Sequence, residues 1–157
     1  RLKDRTLAVR VSMVKRLLEG ATFDADEATI IKILHASRAA GDLVSLIDTV
    51  GAHDIGADVD GSEWVRVRAI FRSSYYAATR QSEAFKLLNT CIVGSTDEWE
   101  EEMIADLICL RNDGRQLILR LGGGEGFDEG LNVLEWNLDG EDQSRVERKF
   151  GSSGKWW

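Results

Sequence analysis

A faint internal repeat constrains this chain more than any other feature. The pattern Asp26-Glu27…Ile30-Ile31…Leu34…Arg38…Gly41…Val44 returns 73 residues later as Trp99-Glu100…Met103-Ile104…Leu107…Arg111…Gly114…Leu117. Apolar pairs followed by a third apolar residue one turn on mark one face of a helix, and the glycine that follows marks its end. One supersecondary unit used twice predicts two similar helical hairpins, each burying its apolar stripe against neighbouring elements.

The rest of the chain agrees with a helical reading. It contains no proline, so no residue rigidly interrupts helix interiors. At 157 residues, 43% hydrophobic and 30% charged, it is long enough for one domain with a true core. The expected fold is mainly α, two helical hairpins plus intervening helices in one domain, with a small irregular or β-containing C-terminal segment. Residues 1–121 form the helical repeat-like part, and residues 122–157 a Gly-rich acidic linker and C-terminal extension packed on or near it.

Along the chain, Leu2, Leu7, Val11, Val14, Leu17 and Leu18 share one face of a helix that stops at Gly20. A second helix begins near Asp24, with Glu27 in capping-box spacing, and carries the stripe Ile30, Ile31, Ile33 and Leu34. After Gly41, residues Leu43–Val50 complete the first hairpin. Residues 51–61, rich in Gly and Asp, read as an acidic loop. Ser62 caps a long helix reaching Tyr75, and Ser82–Ile92 forms another. Gly94-Ser95-Thr96 opens the second hairpin, over about 97–110 and 114–121. Gly122–Gly126 reads as a hinge, Leu131–Leu138 as a strand, and Arg145–Phe150 with Lys155–Trp157 as a hairpin.

Charge narrows the function classes. The formal net charge of −7 disfavours nucleic-acid binding, which needs clustered cations to meet phosphates. Its distribution is uneven: residues 1–20 hold Arg1, Lys3, Arg5, Arg10, Lys15 and Arg16 against Asp4 and Glu19, while residues 124–143 hold Glu125, Asp128, Glu129, Glu135, Asp139, Glu141 and Asp142 and no base. An acidic segment of this kind recruits and steers basic partners. The contact residues expected are Glu125, Asp128, Glu129, Asp139, Glu141 and Asp142, joined by the terminal Trp156 and Trp157, which are costly to leave in water.

No cofactor motif is legible. Cys91 and Cys109 lie in apolar helical patterns, without the spacing of metal ligands or redox pairs, and are expected as buried thiols. No stretch approaches a membrane span. His35 and His53 lack catalytic company, and no nucleophile sits in a recognised turn. Glu147-Arg148-Lys149 matches the Glu-x-Lys piece of restriction-type nucleases, with Asp128 or Asp139 as an upstream magnesium ligand. Arg1 in place of Met is what an excised domain or processed product would show.

The segments Gly20-Ala21-Thr22…Asp26-Glu27 and Gly94-Ser95-Thr96-Asp97-Glu98, each opening a hairpin, resemble the annexin repeat, which begins Gly-x-Gly-Thr-Asp-Glu. The resemblance implies calcium held by loop carbonyls and a later acid three residues before a glycine, a place that Asp58 occupies before Gly61, and contact with an anionic membrane surface. Neither loop has the second glycine, and only two repeats are present. The run Leu17-Leu18-Glu19-Gly20…Asp24-Ala25-Asp26-Glu27…Ile30-Ile31-Lys32-Ile33-Leu34 resembles helical segments of bacterial secreted toxins and contractile-injection effectors. That likeness implies a cytoplasmic bacterial protein or one delivered as part of a longer chain. The function expected from these readings is a non-enzymatic interaction or docking module that meets a secretion component. The alternatives are an acidic immunity protein against a basic toxin, an annexin-like calcium and phospholipid binder, and a metal-dependent nuclease.

Overall fold

The computed structural model describes residues 5–20, 22–59, 61–72, 74–92 and 98–153. They are helical throughout, and the chain forms two compact units, Arg1–Arg72 and Ser73–Trp157. The division falls between the two copies of the repeat.

The first unit contains α1 (Leu7–Leu17), α2 (Asp24–Ala40), α3 (Leu43–Val50), α4 (Ala52–Asp58) and α5 (Gly61–Phe71). Helix α2 lies at its centre, with α1, α3 and α5 packed against it and α4 against α3. Val14, Ile30, Ile33, Leu34, Leu43, Leu46, Ile47, Ile55 and Val67 are wholly removed from solvent. Each such side chain contributes roughly 1.5–3 kcal/mol of transfer free energy, which is why the apolar spacing dictates which faces meet.

Local chemistry sets the helix ends. Thr6 accepts a hydrogen bond from the Val9 backbone N–H (3.3 Å) and starts α1 one turn later than the apolar pattern suggests. At α2 the reciprocal acid is Asp26, which takes the Phe23 N–H at 3.2 Å, while Glu27, the expected capping residue, is buried. Gly41 ends α2 in the left-handed conformation (φ 80°), with Gly41 N–H donating to Arg38 and Asp42 N–H to Ser37. The acidic stretch after Gly51 is helix α4 and the start of α5, a correction to the loop reading. Ala52 and Ile55, one turn apart, bury completely, and that burial outweighs the poor helix propensity of the surrounding Gly and Asp.

The second unit contains α6 (Ser74–Ala78), α7 (Gln81–Ile92), α8 (Glu98–Leu110), α9 (Gly114–Leu121), a 3-10 turn at Gly123–Glu125, α10 (Phe127–Asn137) and α11 (Gly140–Phe150). Helix α8 is central here, packed by α6, α7, α9 and α11, and α10 lies on α9. The helix expected to run from Ser62 to Tyr75 is instead α5 and the separate α6. The repeat therefore supplies the central helix of each unit and the short helix after it. The loop Gly94–Thr96, and Lys155, Trp156 and Trp157, lie outside the described residues.

The β-containing C-terminus is corrected: no strand is present among the described residues, residues 131–137 belong to α10, and residues 145–150 belong to α11. Leu131, Leu134 and Leu138 are buried at positions i, i+3 and i+7, a helical and not an alternating spacing. Arg145 and Lys149, one turn apart on α11, both reach α8.

Candidate partner-binding surface

The acidic segment is built on α10 and α11, and glycines set where these helices lie. A Cβ at Gly130 would stand 1.9 Å from the Ile118 carbonyl oxygen, so the backbones of α9 and α10 meet at a distance no other residue allows. A Cβ at Gly122 would stand 1.9 Å from the Gly126 carbonyl oxygen. Within the glycine run read as a hinge, Gly122 is thus fitted closely against the following turn, while Gly123, Gly124 and Gly126 have open space where a Cβ would stand. Around it, Arg115 lies over the Phe127 ring (4.4 Å), and Phe127 meets Phe150 edge-on (6.3 Å, 62°).

With Leu131 and Leu134 turned inward, the opposite side of α10 faces solvent, and there Trp136 is 81% exposed. Glu129 lies two turns before it on the same face and Asp139 three residues after it. Glu125 and Asp128 are exposed at the start of α10, and Glu129 is half-buried. Asp139 is exposed at the N-cap of α11. Glu141, also exposed, accepts from Arg148 at 2.6 Å. Asp142 is half-buried, 3.7 Å from Arg145, which also donates to the buried Asp106 at 2.8 Å. Burial works against the Arg145 charge, but the Asp106 hydrogen bond more than offsets it and the guanidinium pKa lies above its ordinary value. Asp142 is therefore partly a structural anchor for α11, whereas Asp139, Asp128 and Glu125 project from the surface.

Trp136 is absent from the contact residues expected from sequence. The signal was present: at helical period it falls opposite Leu131, Leu134 and Leu138, so reading 131–138 as a strand hid an exposed indole.

The remaining expected sites are dispersed. Asp58, the expected calcium ligand, is half-buried on α4 and borders a cleft of about 340 Å³ with Lys15, Glu19, His53 and Asp54. Among the described residues no three His, Cys, Asp or Glu side chains are placed to hold a metal ion. Glu147 and Lys149 sit on helix α11, where residues two apart point about 200° from one another. Glu147 accepts from Gln143 (2.9 Å), and Lys149 donates to the Cys109 carbonyl at 2.6 Å. Cys91 is buried as expected, while Cys109 is half-buried. Burial raises both thiol pKa values, Cys91 further under the charge of Glu100. His35 and His53 are exposed.

Among the described residues no helix is long and apolar enough to cross a membrane. No family model, curated protein or solved structure matches this chain.

Proposed function

We propose that this chain is a non-enzymatic helical interaction module that binds a basic protein partner through the α10–α11 face of its second unit. One observation carries this reading: Trp136, 81% exposed, stands among Glu129 and Asp139, with Asp128 and Glu125 further along the same segment. An indole in water is an uncompensated cost, and an aromatic anchor inside a charged rim is the arrangement that concentrates binding energy at interfaces. The acids steer a basic partner and set its orientation, and the indole supplies the buried contact. An acidic immunity protein that occludes a basic toxin uses the same face in the same way. The toxin-effector setting rests on the sequence resemblance of residues 17–34.

The test is retention of a basic partner from native lysate on immobilised protein at low and high salt. Wild type retains it at low salt and releases most of it at high salt. Trp136→Ala weakens binding at least about tenfold, the effect of losing one hot-spot residue. A double reversal, Asp128→Lys with Asp139→Lys, slows association and removes the salt dependence. Binding indifferent to both variants would rule this face out.

A further inference from the structure

Formal charge is divided unevenly between the two units. Residues 1–72 hold eleven Lys or Arg and eleven Asp or Glu, whereas residues 73–157 hold nine and sixteen, so the whole net charge of −7 lies on the second unit. Helix α1 contains Arg10, Lys15 and Arg16 and no acid. Helix α10 is its inverse, with Asp128, Glu129 and Glu135 and no base.

Both helices also leave apolar surface in water. On α1, Val11 and Val14 turn into the core, while Val9, Ser12, Met13 and Arg16, at positions i, i+3, i+4 and i+7, share the other face. Together with Leu17, and with Thr29 of α2, they border an open groove of about 520 Å³. Its lining is apolar apart from two hydroxyls and one guanidinium, and no acid contributes to it. Val9 is 41% exposed there, and Arg16 and the neighbouring Lys15 are exposed. On α10 the apolar group left in water is a projection, the Trp136 indole, with Glu129 and Asp139 flanking it in sequence.

These two surfaces complement each other in shape and in sign. A guanidinium is attracted to the face of an indole more strongly than to any other ring, and a thioether such as Met13 adapts its shape to an aromatic group. The exposed cations at the C-terminal end of α1 match the carboxylates around Trp136. We infer that the chain docks on a second copy of itself, with the Trp136 face of one molecule seated in the α1 groove of the other. This names a partner for the face proposed above, and its Trp136 half rests on that reading. Because the two surfaces differ, the contact either repeats head to tail or closes reciprocally, each molecule filling the groove of the other.

The experiment is sedimentation velocity of the whole chain from about 10 µM to about 1 mM, the range suited to a contact with one aromatic anchor. The weight-average mass of wild type is expected to rise with concentration. Trp136→Ala removes the indole, and Arg16→Glu places an acid in the groove. Both residues are exposed, so both variants keep the wild-type thermal midpoint within about 2 °C, and each associates at least about tenfold more weakly. An equimolar mixture of the two variants forms dimers that neither forms alone, because the indole of the Arg16→Glu molecule meets the intact groove of the Trp136→Ala molecule. A wild type that stays monomeric throughout would overturn the inference, and would leave the Trp136 face to its own test on lysate partners. Association lost in Trp136→Ala but kept in Arg16→Glu would pair the indole faces with each other and overturn the groove. A mixture no more associated than its components, or a monomeric wild type whose Arg16→Glu variant loses some other bound molecule, would also overturn it.

Discussion

The two copies of the repeat are alike where they are apolar and different where they are polar. Ile30, Ile31, Leu34 and Val44 are buried, and so are their counterparts Met103, Ile104, Leu107 and Leu117. Even the acid pair Glu27 and Glu100 is buried in both. The arginines diverge. Arg38 is half-buried, but Arg111 is buried and clamps Asp113 through two hydrogen bonds (2.7 and 2.8 Å) while donating to the Tyr76 carbonyl. In the first unit the matching clamp on the hairpin corner comes from outside the repeat. Arg10 of α1 grips Asp42 through two hydrogen bonds (2.6 and 2.8 Å) and also donates to Ser37. A buried arginine on an acidic corner is thus achieved twice, once by a residue two positions away and once by a residue on another helix.

The repeat glycines diverge in the same manner. Gly41 needs its φ of 80° and has open space where a Cβ would stand. Gly114 lies at the start of α9, where a Cβ would be 2.0 Å from the Ile108 carbonyl oxygen and 3.1 Å from Phe150. The first glycine supplies a backbone conformation and the second supplies room. Sequence similarity at a position therefore records a residue type, while the cause that retains it is set by its neighbours.

Exchanging the glycines gives the largest predicted contrast. Gly114→Ala forces a methyl into a backbone carbonyl and is expected to cost about 3 kcal/mol in chemical denaturation. Gly41→Ala costs about 1 kcal/mol, the strain of a left-handed residue with a side chain. Equal effects would show that the two corners differ less than their geometry indicates.

Removing the arginines is expected to come next. Arg111→Ala and Arg10→Ala each leave a partly buried carboxylate and a buried acceptor without their donor, at about 2 kcal/mol. Arg38→Ala, at the repeat position of Arg111, stays within about 0.5 kcal/mol. Hydrogen exchange separates the two clamps: loss of Arg10 deprotects α1, whereas loss of Arg111 loosens the α8–α9 corner without affecting α1.

The smallest effect concerns acid. Hydrogen bonds from Arg10 and Arg111 hold the Asp42 and Asp113 carboxyls below the usual carboxylate range. Their contribution is present above an unfolded value of about 3.9 and is lost as pH falls through the lower folded value. Denaturation at pH 7, 4 and 2.5 should show each clamp weakening as pH falls, a loss absent in Asp42→Asn and Asp113→Asn.

Reading α2, α3, α8 and α9 from sequence required only the spacing of their apolar residues, because burial rewards that spacing whatever the neighbours are. The α10 and α11 helices carried the same signal in Leu131, Leu134 and Leu138, but the glycines and acids around them suggested turns and strands. Two of those glycines serve close backbone contacts, Gly122 against Gly126 and Gly130 against Ile118, and a contact partner cannot be read from one stretch of sequence. The acidic residues of the candidate surface were legible as charge. Their separation into anchors such as Asp142 and projecting groups such as Asp139 depended on where Arg145 lies.

Sequence by itself determined that this chain is helical, that one hairpin occurs twice, and that its charge is uneven, since each follows from local periodicity and composition. Tertiary structure alone decided which arginine clamps each corner, which glycine is there for space, and that Trp136 faces outward. Those are properties of pairs of residues brought together from different helices, and a pair has no energy until folding places it.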